Sequence, residues 1–350
     1  MLSLRPERLS QLSLPLGTGW LLGACMEARG KQDLWSRQKP EVLAALREQA
    51  IIQSAESSNR IEGVAVRPER LRPLVLGQAR PVDRPEEELQ GYRRALDWIF
   101  KRRRPIRLDP ATVLKLHALA QGGTTGDAGR FKRRDNDIVE ILPNGERRIR
   151  FVPTPARETP EAVHQLCENH AAALEDERIP PLVVAATFVL DFLCIHPFRD
   201  GNGRVSRLLT TLLLEQGGFV VARFVSLERL VEESKVEYYR CLEECSRGWH
   251  QGRNDLLPWI AYFLSTLRRA YQEFERRVQG MAERPAKTEL IRDAVGRRDE
   301  PFTLAEIRAQ VPGVSVQLVK KVLAELKRAG VLKVVGHGRG ALWKKAGGGR

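Results

Sequence analysis

The chain has 350 residues, 58 basic and 44 acidic, for a formal net charge of +14. That length suits two domains or three, each with a full hydrophobic core. Hydrophobic content of 42% and charged content of 29% describe an ordinary globular chain. The basic balance excludes an acidic tail or scaffold and keeps nucleotides, nucleic acids and other anions in view as partners.

The charge is unevenly placed. Residues 101–150 carry +7 and residues 286–350 carry +8, whereas 151–285 carry −3. The five cysteines are Cys25, Cys167, Cys194, Cys241 and Cys245. An odd number with no repeated spacing argues for reduced thiols in a cytoplasmic protein, against a disulfide framework and against zinc. The apolar run 182–195 is 14 residues long and contains Asp191, so it is too short to span a membrane. Near the start, Arg5 and Arg8 precede a mildly apolar stretch, and Leu22-Gly23-Ala24-Cys25 imitates a lipoprotein box. Pro15, Gly17 and Gly19 interrupt that stretch, so neither secretion nor lipidation is expected.

In chain order, Pro40 opens a helix with Leu43, Leu46 and Ala50 at helical spacing, ending near Gly63. Further helices are expected over Pro85–Lys101 and Asp109–Ala120, followed by the glycine-rich loop QGGTTGDAG. Asp137–Ile141 and Arg148–Val152 are β-prone runs around Pro143-Asn144-Gly145, which reads as a hairpin. The basic residues Lys132, Arg133 and Arg134 before it read as a solvated face or as a lure for an anion. Thr159 is expected to cap the next helix, with Pro160 in its first turn. Pro181 then opens a helix apolar on nearly all faces, which must be central. Helices continue to about Val278, and 280–287 reads as a linker. The tail has a helix at 287–296, a capping box at Thr303 and Glu306, a helix after Ser315, and strands at Val331–Val335 and Ala341–Lys344 around the turn GHGRG. Helix-turn-helix plus a two-stranded ribbon is a winged-helix pattern.

Chemistry concentrates in His196-Pro197-Phe198-Arg199-Asp200-Gly201-Asn202-Gly203-Arg204-Val205-Ser206-Arg207. This segment leaves a buried helix and opens another. A helix's first turn offers free N–H groups and the positive end of its dipole. Glycines admit close backbone approach, and Arg204 and Arg207 add positive charge three residues apart. Asp200 is a hard oxygen ligand of the kind Mg²⁺ takes beside phosphates. His196 titrates near neutrality and suits removal of a hydroxyl proton. The same residue types could form a structural salt-bridge knot, so composition alone leaves both readings open.

The string resembles the Fic family signature H-x-F-x-[DE]-G-N-G-R-x-x-R at every specified position, and the likeness extends over roughly residues 40–270. The resemblance implies transfer of AMP from ATP to a Ser, Thr or Tyr hydroxyl of a target protein. It makes His196 the general base and Asp200 the Mg²⁺ ligand. It places Gly201, Asn202, Gly203, Arg204 and Arg207 on the phosphates, and Phe198 inward as an anchor. The hairpin then resembles the flap that holds an extended target. Ser58-Asn59-Arg60-Ile61-Glu62-Gly63 resembles the family's inhibitory motif [ST]-x-x-x-E-[GN]. That implies a Glu62–Arg207 ion pair that denies Arg207 to the γ-phosphate.

The expected architecture is mainly α: an N-terminal helical region at 1–80 with an inhibitory helix, a Fic-type helical domain with a β-hairpin flap at 81–280, and a winged helix at 286–345. Two other readings stand beside AMP transfer. One is a DNA-binding regulator whose tail helix, with Lys320, Lys321, Lys327 and Arg328, meets DNA while the Fic domain senses nucleotide. The other is transfer of a different phosphate-containing group. A homodimer is compatible with either; a membrane partner is not expected.

Overall fold

A computed structural model describes residues 2–36, 40–101, 105–122, 127–141, 145–282, 287–298, 300–311, 314–335 and 341–346. Residues 1–278 form one compact unit and 279–350 a second.

The first unit begins with helices α1 (Pro6–Leu9), α2 (Leu16–Ser36), α3 (Pro40–Ile61), α4 (Pro68–Val75), α5 (Arg84–Phe100) and α6 (Pro110–Ala120). A hairpin of β1 (Ile138–Ile141) and β2 (Arg147–Phe151) follows. Then come α7 (Thr159–Glu175), α8 (Pro181–Ile195), α9 (Asn202–Gln216), α10 (Leu227–Glu233), α11 (Lys235–Ser246) and α12 (Leu257–Ala282). Local chemistry sets many of the starts. Asp83 and Asp109 accept hydrogen bonds from Glu86 N and Thr112 N at 2.9 and 2.8 Å, each with proline in the first turn. Thr159 departs from expectation: it is the first helical residue of α7, buried, with its hydroxyl turned back to Pro155 O, so it caps nothing.

α8 is buried on all sides and packs against α7, α9 and α11. Its one acid, Asp191, is fully buried and accepts from Leu4 N (2.7 Å) and Trp249 Nε1 (2.6 Å). Burial pushes its carboxyl upward, and these donors oppose that rise. Residues 2–4 are thereby tied into the same core as the helix that delivers His196. α3 packs against α5 and α10, so the first 80 residues share that core.

α2 runs straight through Gly17, Gly19, Gly23 and Gly30, where the sequence suggested an interrupted stretch. Cys25, fully buried against Leu264 O, helps hold it in place. Among the described residues no helix is long and apolar enough to cross a membrane, and no group of three or more His, Cys, Asp or Glu side chains is placed to hold a metal ion.

β1 and β2 pair antiparallel, Val139 opposite Ile149, with a bulge between Ile138 and Val139. Pro143 and Asn144, read as its turn, lie outside the described residues. In the second unit α13 (Lys287–Gly296), α14 (Leu304–Gln310) and α15 (Val316–Arg328) precede the antiparallel pair β3 (Leu332–Val335) and β4 (Leu342–Lys345). Phe302 bridges Trp343 beside that ribbon. Ile291, Phe302, Ile307, Val319 and Leu323 form its core. The Thr303–Glu306 capping box is present in both directions, and Ser315 accepts from Leu318 N. The ribbon turn, with His337 and Arg339, lies outside the described residues, as does Pro312-Gly313.

Candidate active site

α8 ends at Ile195, and His196 follows in the left-handed region at φ 51°, ψ 60°. It is the one non-glycine residue with positive φ among the described residues. The chain then folds into a knot that opens α9. Phe198 is fully buried, stacked on His117 at 3.8 Å between ring centres. The Asn202 amide accepts from Phe198 N (2.9 Å) and donates to Phe198 O (2.7 Å), closing the loop on itself. Its side chain is consumed by that clamp, so only its backbone N–H remains for a ligand. Gly201, at φ 83°, permits the sharp entry into α9.

The His196 ring has a defined tautomer. Its Nδ1 lies 3.3 Å from the Leu193 carbonyl, which can only accept, so Nδ1 carries the proton and Nε2 is the free base. Burial, with the Lys132 ammonium adding to it, pushes the imidazole down to about 4. It is therefore neutral, and competent as a base, at physiological pH.

Glu62 follows the last residue of α3, where Gly63 takes φ 80° and Val64 N returns to Asn59 O. Its carboxylate reaches α9, with Oε1 2.7 Å from Arg207 Nη2. Arg207 also donates from Nε to Ser58 Oγ and from Nη2 to Ser58 O, both at 2.9 Å. Burial disfavours the guanidinium charge, but Glu62 together with Tyr238 and Tyr92 outweighs it, and the pKa of Arg207 is raised. Arg207 Nη1 is buried with no hydrogen-bond partner among the described residues. A Cβ on Gly203 would come within 2.1 Å of Glu62 Oε1. The missing side chain at Gly203 is what lets an anion sit on the first turn of α9.

Glu62, His196, Gly203 and Arg207 line one cleft of about 480 Å³. The hairpin residues Val139 and Arg150 close one side, and Tyr238, Tyr239 and Leu242 of α11 form an apolar wall. A larger cavity of about 710 Å³, bordered by α5, α6, α7 and α9, contains none of the signature residues.

Two signature residues are engaged by charged side chains of other helices. Arg204 is 2% exposed and pairs through Nη1 with Glu88 of α5 at 2.8 Å, so its charge is absorbed inside the fold. Asp200 projects outward and is paired with Arg84 Nη2 at 2.8 Å, while Arg204 Nη2 stands 3.6 Å away. Arg84 binds Glu88 in turn, which makes an alternating network of Arg84, Glu88, Arg204 and Asp200. His117 of α6 and Gln121, which ends that helix, were not singled out from the sequence. Gly129 N donates to His117 Nδ1, so Nε2 carries the proton and donates to Asp200 O at 3.2 Å. Gln121 reaches the same carbonyl. Lys132 is buried, not solvated, and only Arg133 and Arg134 of that basic trio are exposed.

Residues 107–214 match the Fic/DOC family. The chain is 33% identical to protein adenylyltransferase fic-1 of Caenorhabditis elegans over 116 residues, 32% of this chain and 20% of that protein. It is 25% identical to protein adenylyltransferase Fic of Nematostella vectensis over 182 residues, 50% of this chain and 36% of that one. The chain thus spans about a fifth to a third of these relatives' lengths. Its fold superposes on a Fic family protein from Desulfovibrio desulfuricans with a TM-score of 0.64 at 20% identity, covering 99% of both chains. For Fic-1 of C. elegans, residues 134–508, the TM-score is 0.56 at 22% identity, over 76% of this chain and 73% of that one. The buried α8, the knotted signature loop and the helix it opens are thus those of a Fic/DOC domain, and this chain carries one.

Proposed function

We propose that the chain transfers AMP from ATP to a hydroxyl side chain of a protein and that Glu62 restrains the reaction. One observation carries the reading. The protein's own carboxylate, Glu62, sits on the N-terminal turn of α9 against Arg207, within the cleft that holds the His196 base. A helix N-terminus occupied by an anion is a ready phosphate site.

The target hydroxyl attacks the α-phosphorus. Its proton passes to His196 Nε2, the bond from the α-phosphorus to the bridging oxygen breaks, and pyrophosphate leaves. A phosphodiester to AMP remains on the target. The N–H groups of Asn202 and Gly203 and the Arg207 guanidinium face the developing negative charge. Asp200 is the residue that would hold Mg²⁺: a single exposed carboxylate beside a phosphate cradle fits the few protein ligands that ion takes. When bound, the ion supplies charge neutralisation on the phosphates. Arg204 and Arg84 orient Asp200 in this reading, and Arg204 does not grip phosphate directly. The hairpin edge, with Val139 and Ile149 exposed, offers a strand for an extended target.

ATP labelled at the α-phosphate should leave its label on protein, and ATP labelled at the γ-phosphate should not. Label from the γ-position alone would replace AMP transfer with phosphoryl transfer.

A second reading concerns the second unit, whose elements fit a winged helix. α15 buries Val319, Val322 and Leu323 and exposes Lys320, Lys321, Lys327 and Arg328. An exposed basic helix suits a DNA groove. The full chain should retard duplex DNA in a gel at low salt. Binding should weaken steeply as salt rises and be lost in Lys320→Glu/Lys321→Glu. No retardation at low salt contradicts this role.

A further inference from the structure

Lys132 is a buried ammonium that the reaction above does not use. It is 6% exposed. Among the described residues it has no ion pair; its Nζ is held by oxygens only, Asn136 Oδ1 at 2.9 Å and Ile195 O at 3.3 Å. A buried cation without a paired carboxylate is costly, and groups of this kind gather at functional sites. We propose that Lys132 is a positioning residue for the His196 base. It holds the backbone on both sides of the imidazole and presents a fixed positive charge to it. This rests on His196 being the base of the transfer reaction.

The geometry is specific. Lys132 Nζ takes the carbonyl just before His196, and Lys132 N donates to Pro197 O, the carbonyl just after it, at 2.9 Å. Asn136 Nδ2 extends the grip to Phe198 O at 3.2 Å. Together they pin a residue whose left-handed backbone is strained for a non-glycine side chain. Such strain persists only where surrounding contacts over-determine it. Two residues past Asn136 the chain enters β1, so the clamp joins the hairpin to the catalytic loop.

The charge matters for proton transfer. His196 is faced by Lys132 from the segment before β1, Glu62 beyond α3, Arg150 on β2, Arg207 on α9, Tyr238 and Tyr239 on α11, and Cys194 on α8. Lys132 opposes protonation of the ring, and Glu62 favours it. Burial brings Lys132 itself down to about 8, with Asp135 and Asp137 moderating the fall, so it still carries its charge at neutral pH. The ring therefore stays unprotonated at the pH where a hydroxyl must be deprotonated.

The test compares Lys132→Met, which keeps the volume and removes the charge, with Lys132→Arg and Asn136→Ala, all with Glu62→Gly. Histidine NMR titration follows His196, its signal identified by its loss in His196→Asn; AMP transfer is measured across pH. In Lys132→Met the His196 titration should move up by about one pH unit, and the acid limb of kcat should move with it. Lys132→Arg should restore both. Asn136→Ala should lower kcat about tenfold by loosening the loop while leaving the titration in place. A folded Lys132→Met with unchanged titration and acid limb overturns the proposal. So does an unchanged kcat in Asn136→Ala, which decides the matter if Lys132→Met does not fold. The NMR titration needs no nucleotide. If it moves while no AMP is transferred, the transfer reading fails and with it the base-positioning role, and only the electrostatic coupling of Lys132 to His196 is left.

Discussion

Glu62→Gly should raise AMP transfer by about ten- to a hundredfold. In the wild type Arg207 has little left to offer a phosphate. Its Nε serves Ser58 Oγ, and its Nη2 serves both Ser58 O and Glu62 Oε1. Among the described residues only Nη1 lacks a partner, and it is buried. A γ-phosphate must displace the Glu62 carboxylate, which is itself seated on Gly203. A hydrogen bond to a charged group contributes about 1.5–3 kcal/mol, equivalent to roughly ten- to a hundredfold in rate. Removing the carboxylate also removes an anion from the place a tetra-anionic nucleotide must occupy. Initial rates with α-labelled ATP measure the effect. Equal rates for wild type and Glu62→Gly would show that Glu62 is only a structural ion pair.

The second large effect is at His196. Its Nε2 is the free base of the cleft, and general-base removal costs about a hundred- to ten-thousandfold. Asparagine is the better replacement, because it tolerates the left-handed backbone that alanine would strain. His196→Asn should fold normally by thermal melting and transfer essentially no AMP in the Glu62→Gly background. Nucleotide binding should survive, since the phosphate contacts lie on α9. With the imidazole down at about 4, transfer in the parent should show no acid limb near neutrality. A histidine-dependent limb near pH ~6.5 would mean that the ring is far less shielded than the fold implies.

Legibility from sequence tracked how local each feature is. The signature loop reads clearly because its base, carboxylate, glycines and arginines are contiguous. The Glu62–Arg207 pair, 145 residues apart, was reached only through resemblance of two motifs; no spacing rule connects them. Partners on separate helices left no trace. Glu88 sits in an ordinary acidic run at the start of α5, yet it receives Arg204 inside the fold. Arg84, four residues earlier, takes Asp200. His117 reads as one more residue on the buried face of α6, and only tertiary packing puts its ring on Phe198. Lys132 sits in a run of three basic residues that looks solvated, and the fold buries the first while leaving the next two outside. α2 was obscured by its glycines. Tertiary packing of Cys25 and its neighbours overrides their low helix propensity.

The most direct measurement is the intact mass of Glu62→Gly protein after incubation with ATP, GTP, UTP and CTP separately, beside Glu62→Gly/His196→Asn. The account predicts a mass gain of one or more AMP groups with ATP and none in the double variant. A gain of bare phosphate or of another nucleotide monophosphate would redirect the donor. An equal AMP gain in the double variant, or no gain with any nucleotide, would contradict the account at its centre.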